Sequence, residues 1–141
     1  MKFVVVTGGF DPIHSGHIDY IREAATLGDV LIVGVNSDEW LTRKKGKPFM
    51  NWEERTTVVS ALKWVDHVLR FDDTDDSACS LLEQLKKSWI GKGDEIIFAN
   101  GGDRNSTNNR ESKVEGITFV YGVGGSNKKN SSSDILKAWK E

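Results

Sequence analysis

The chain has 141 residues and a mass of 15.7 kDa, which suits one domain with a core of its own. Its 19 basic residues against 21 acidic ones leave a formal net charge of −2, so composition points to neither a nucleic-acid nor a membrane-surface partner. A single cysteine, Cys79, excludes an internal disulfide framework and a multi-cysteine zinc site, and no apolar run approaches the ~18 residues of a membrane span; a reducing, cytoplasmic setting is the simplest expectation.

Phe3 to Val6 is an unbroken β-branched and aromatic run, which predicts a strand buried on both faces and ended by Gly8-Gly9. Helical spacing follows over 16–27, with Ile18, Ile21 and Ala25 on one side and Gly28-Asp29 as the stop. Val30 to Val35 reads as a second buried strand, and 36–47 as a flexible basic loop. A helix is expected over 51–64, then a short strand marked by Val65, Val68, Leu69 and Phe71 and a polar loop from Asp72 to Asp76. Ala78, Leu81, Leu82, Leu85 and Trp89 mark an amphipathic helix. Glu95 to Ala99 is a fourth strand and 117–121 a fifth, and a polar loop over 122–133 leads to a last helix carrying Ile135, Leu136 and Trp139. Strands alternating with helices predict an α/β domain over 1–141, with a parallel five-stranded sheet and helices on both faces.

Ligands of such sheets sit at the carboxyl ends of the strands, where four segments should meet. Thr7 to His17 joins a buried strand to a helix. Gly8 and Gly9 allow a close backbone approach, and the helix start offers N–H groups and a positive dipole end to a phosphate. His14 and His17 lie three apart on the first helical turn, with Gly16 between them, and can address one anion together. Two histidines at this spacing also suit a metal, for which no third ligand is near, or plain helix capping. Arg43-Lys44-Lys45-Gly46-Lys47 puts four cations in five positions, chemistry that fits a polyphosphate or a solvated loop. In Asn100-Gly101-Gly102-Asp103, Asp103 can hydrogen-bond a nucleotide, help hold Mg²⁺ or serve a polar turn. Ser131, Ser132 and Ser133 before the last helix can cap it or hold phosphate, with Lys128 and Lys129 adding charge. Asp72 to Asp76 reads as a solvated turn and helix cap, and Cys79 as a buried side chain without a catalytic role.

The run containing Gly8, Phe10, Asp11, His14, Gly16 and His17 resembles the G-x-F-D-x-x-H-x-G-H signature of the HxGH nucleotidylyltransferase superfamily. Nearly the whole chain is similar to its cytidylyltransferase-like branch. The resemblance implies a single-domain Rossmann-like fold that transfers CMP or AMP from CTP or ATP to a phosphorylated small molecule, such as a sugar or polyol phosphate, with release of pyrophosphate. It implies catalytic roles for His14, His17 and Lys44. Around the nucleotide it places Gly8, Gly9, Phe10, Asp11, Gly16, Lys47, Gly102, Asp103, Lys128, Lys129, Ser131, Ser132 and Ser133, and near the acceptor Asp38, Arg55 and Lys63. It also implies Mg²⁺ bound through nucleotide phosphates, and a homodimer. Two departures stand out. Lys63-Trp64 replaces the family's Arg-Tyr, and the arginine expected before the C-terminal serines is absent, with Asn130 where an isoleucine would be. A weakly catalytic nucleotide-binding module of the same fold is the alternative.

Overall fold

The computed structural model describes residues 1–101, 110–124 and 132–140. Strand β1 (Lys2–Gly8) lies at the centre of the sheet, with Val4, Val5 and Val6 sealed from solvent. It pairs in parallel with β2 (Val30–Val35) on one side and β4 (Glu95–Gly101) on the other. β3 (His67–Leu69) and β5 (Ile117–Val123) form the edges, giving the order β3-β2-β1-β4-β5, parallel throughout. Alternate residues of the central strands feed two cores, as a two-sided sheet demands. Helices α1 (Ser15–Ala25) and α3 (Trp52–Ser60) cover one face, where Ile21, Ala24 and Val59 meet Val4, Val6 and Val33. Helix α4 (Cys79–Ser88) covers the other, where Leu81, Leu82 and Leu85 meet Val5, Ile32 and Phe98.

The strand order positions the site. The chain winds from β1 to β2 to β3 in one direction, then returns through α4 to β4 on the far side of β1. This reversal falls between β1 and β4, and ligands of such sheets bind outside the carboxyl ends of the strands at that point. The expected Rossmann-like α/β architecture is therefore the one observed.

Three elements differ from the sequence reading. Residues 36–47 are not a loop: Asp38–Lys45 is a helix, α2. Ser37 caps it by accepting the Trp40 N–H, with acids in its first turn and Arg43, Lys44 and Lys45 in its last, a charge order that suits the helix dipole. Helix α1 ends at Ala25 because Thr26 and Leu27 close short turns on the Glu23 and Ala24 carbonyls. α3 stops at Ser60 for the same reason, and the chain turns so that Asp66 pairs with Leu31 at the start of β2. A short 3₁₀ turn at Arg110–Lys113 and a terminal helix α5 (Ser132–Lys140) complete the described chain.

Candidate active site

The turn that leaves β1 delivers both histidines to the start of α1. His14 is the N-cap residue, in extended conformation, and its Nδ1 accepts the Gly16 N–H at 3.1 Å. His17 Nδ1 accepts the His14 N–H at 3.2 Å, a reciprocal capping box built from two imidazoles. The rings stack with centroids 3.8 Å apart and an interplanar angle of 25°. Burial, aided by the neighbouring His14, pulls the His17 imidazole from its usual 6.5 down to about 3. His17 is therefore neutral at physiological pH. With Nδ1 an acceptor, the proton of a neutral ring sits on Nε2. The backbone thus fixes a hydrogen-bond donor on the side of the ring that helix capping does not use.

Three residues of the signature shape the turn that carries this pair. Phe10 is buried, takes a left-handed backbone (φ 52°), and sets its ring edge-on to His17 at 4.9 Å. A β-carbon on Gly8 would lie 3.1 Å from that phenyl ring, and one on Gly9 would lie 3.0 Å from Leu41. These glycines make room for protein side chains, a packing reason that the sequence reading, with its ligand-facing glycines, did not contain. Asp11 is likewise turned inward. Its carboxylate accepts the Phe49 and Met50 N–H groups at 2.6 and 2.7 Å and pairs with Lys45 at 2.9 Å, fastening the α2–α3 connection to the β1 turn.

Arg55 is the largest fully buried side chain among the described residues. Nε donates to the Met50 carbonyl, and one terminal nitrogen donates to the Gly9 and Asn36 carbonyls at 2.9 and 2.7 Å. The other terminal nitrogen pairs with Asp38 at 2.7 Å. The guanidinium joins the strand ends of β1 and β2 to α2 and α3. It braces these segments from a fully buried position, and Asp38 serves as its counter-charge.

With this geometry in place, comparison with known proteins is informative. A family model described as cytidylyltransferase-like matches residues 5–138. The chain belongs to the cytidylyltransferase-like family. It is 35% identical over 143 residues to the bifunctional protein HldE of Geobacter sulfurreducens, an alignment covering 99% of this chain and 28% of that protein. It is 34% identical over 137 residues to the ethanolamine-phosphate cytidylyltransferase of Arabidopsis thaliana, covering 94% of this chain and 31% of that one. The chain thus spans under a third of the length of either relative. In fold it is similar to a lipopolysaccharide core biosynthesis protein from Thermoplasma volcanium, with a TM-score of 0.68 at 24% identity, covering 90% of this chain and 99% of that one.

The remaining site candidates of this family member divide by location. Ser132, at the start of α5, donates its hydroxyl to the Pro12 carbonyl at 2.8 Å, which docks that helix start on the β1 turn near the histidines. Lys44 and Lys47 are exposed at and just beyond the end of α2. Lys44 Nζ rests 4.6 Å from the centroid of the Trp40 ring. Lys63 is not brought to the site. It follows α3, three residues before Asp66 at the amino end of the sheet, and lies over Trp64 at 5.1 Å, a ring it shares with Arg22. Ser133 lies in α5, and Gly102, Asp103, Lys128, Lys129 and Ser131 fall outside the described residues.

Two supports escaped the sequence reading. Asp73, from the acidic run expected to be solvated, is buried and accepts from Asn36 Nδ2, the Ser37 N–H and the Ser37 hydroxyl at 3.1, 2.8 and 2.7 Å. Its signal was present in the Asn-Ser pair at the end of β2, a polar pair that requires a buried acceptor. Tyr20 and Glu23 of α1 hold the ends of β4 and β5. The Tyr20 hydroxyl donates to the Ala99 carbonyl, and a Glu23 carboxylate oxygen accepts the Gly124 N–H. No helix among the described residues is long and apolar enough to cross a membrane.

Proposed function

We propose that this chain transfers a nucleotidyl group from CTP or ATP to a phosphorylated small molecule, a sugar, polyol or amino-alcohol phosphate, and releases pyrophosphate. The stacked, backbone-capped imidazole pair at the start of α1 carries this reading. An acceptor phosphate oxygen attacks the α-phosphorus in line. The new P–O bond forms as the bond to the β-phosphate bridging oxygen breaks, and its electron pair leaves with pyrophosphate. Catalysis of this kind is positioning and electrostatics, with no covalent intermediate. His14 and His17 donate ring N–H groups to the α-phosphate oxygens, and the neutral His17 ring does so through Nε2–H without titrating. Lys44 and Lys47 offset charge on the outer phosphates, and the N–H groups at the start of α5 add to this. CTP is the preferred donor in this reading, supported by the cytidylyltransferase-like family model and the ethanolamine-phosphate cytidylyltransferase relative.

Magnesium enters on the nucleotide in this reading. Among the described residues no three His, Cys, Asp or Glu side chains converge to make a metal site. Asp11, the acid of the signature, is already satisfied by two backbone N–H groups and Lys45. The metal would offset triphosphate charge, and the protein would bind the complex through its donors and lysines. A homodimer belongs to the same reading, and light scattering at twice the 15.7 kDa chain mass is the expected result.

The test is pyrophosphate release with each of the four NTPs against a panel of phosphorylated sugars, polyols and ethanolamine phosphate. Release with CTP or ATP and one acceptor class is expected. Nucleotide binding without release in every pairing would leave a binding module of the same fold.

A further inference from the structure

We propose that Trp40 is a positioning residue that holds Lys44 against the phosphate-binding turn before any nucleotide arrives. The inference rests on the nucleotidyl-transfer reading and adds to it a residue that the signature does not contain. Helix α2 carries three successive cations, and their surroundings differ. Arg43 is taken up by the Asp73 carbonyl and the Asp76 carboxylate at 2.8 and 3.0 Å. Lys45 is taken up by Asp11, through its carbonyl and its carboxylate. The ammonium of Lys44, between them, faces an aromatic ring instead of an acid.

Trp40 is anchored through its backbone, and its ring lies beside the turn. Trp40 precedes Lys44 by four residues, the spacing at which two helical side chains meet. The backbone N–H of Trp40 donates to the capping Ser37 hydroxyl at 3.1 Å, and Ser37 is in turn held by the buried Asp73. On its other side the indole packs on the turn that leads to His14, since a β-carbon at Gly9 would lie 3.5 Å from Trp40 Cζ3. One indole therefore touches both the glycine turn and the lysine. A long lysine side chain loses much rotamer freedom when it grips a phosphate. A ring that already restrains it, while leaving its N–H donors to a ligand, reduces that loss.

The experiment titrates inorganic tripolyphosphate, and separately CTP and ATP, into the full chain by calorimetry. The proteins are wild type, Trp40→Phe, Trp40→Leu, Lys44→Met and the Trp40→Leu/Lys44→Met double variant. A partly exposed cation–π contact predicts roughly 2–5-fold weaker tripolyphosphate binding for Trp40→Leu, with Trp40→Phe in between. Lys44→Met should weaken binding by about ten-fold, as loss of a charge-assisted bond does, and the double variant should bind no more than about two-fold worse than Lys44→Met. Binding by Trp40→Leu as tight as wild type, or losses that simply add, overturns the inference while leaving the activity intact. A wild type that binds neither tripolyphosphate nor any NTP overturns the functional reading and this inference together. A measurement on the unaltered indole covers the case of a variant that does not fold. After reductive ¹³C-methylation, the Lys44 resonance, assigned by its loss in Lys44→Arg, should lie upfield from the indole ring current and move on tripolyphosphate addition. An unshifted resonance overturns the inference.

Discussion

His17 does two jobs with one ring. Its Nδ1 completes the cap of α1, and its burial keeps the ring neutral with the proton on Nε2. Removing a donor aimed at the transition state typically costs about 10²–10³ in rate. His17→Ala should therefore retain nucleotide binding and lose turnover by that factor, measured as kcat for pyrophosphate release; near-normal kcat would remove His17 from the mechanism. The same ring makes a stability prediction. The folded state holds it near 3 and the unfolded chain near 6.5, so between those values the unfolded state binds the extra proton. Its contribution is present in full above pH 6.5 and is lost as pH falls toward 3, at up to about 1.4 kcal/mol per pH unit. In His17→Gln, which can still accept the His14 N–H, urea denaturation should show a shallower loss of stability between pH 6.5 and 4, by up to one proton. Arg55 poses the contrasting case. Arg55→Met would leave three carbonyls and Asp38 without their donor, and breaking such a buried network costs about 3–5 kcal/mol. That loss should appear in urea denaturation, and any loss of activity should follow it.

At the scale of the element, α2 is the most instructive piece of the chain. Strand β1, the helix with Leu81, Leu82 and Leu85, and the turn with His14 and His17 were all legible from apolar period and motif. α2 was not, because Asp38 to Lys45 buries one side chain, Leu41, and shows no apolar stripe. Its helicity comes from a cap and from charge order, and its placement from Asp73, thirty-six residues after Ser37. An acidic run reads as solvent-facing until a partner of opposite need is placed beside it, and that partner comes from the sheet topology. Lys63 failed for a related reason. The motif gives a position in sequence, whereas the turn after α3 carries it to the opposite end of the sheet. The anchoring of α2 is testable. Asp73→Asn keeps the shape and removes the charge from three hydrogen bonds, so unfolding free energy should drop by about 1.5–3 kcal/mol in urea. Polyphosphate binding should weaken as well, because the helix that carries Lys44 loses its tether.

The whole molecule gathers its candidate site from distant parts of the chain: the turn after β1, the end of α2 and the start of α5. Ser132 reaches Pro12 across 120 residues, and Glu23 reaches Gly124 across 101. A ligand that touches these segments together binds only when all of them are folded, so its free energy of binding adds to global stability. At a hundred times its dissociation constant a ligand contributes ~2.7 kcal/mol, or roughly 5–10 °C in Tm for a domain of this size. CTP or ATP with magnesium should raise the Tm by that order, read by circular dichroism or calorimetry. The metal enters this prediction through charge. A triphosphate without its cation brings several negative charges to a chain whose net charge is already −2. A chelator should therefore abolish most of the nucleotide-induced shift and leave the Tm of the chain alone unchanged, because the described residues form no metal cluster whose loss would destabilise it. A chelator that lowered the Tm of the nucleotide-free chain would point to a metal bound by the protein itself, against the assignment of magnesium to the phosphates.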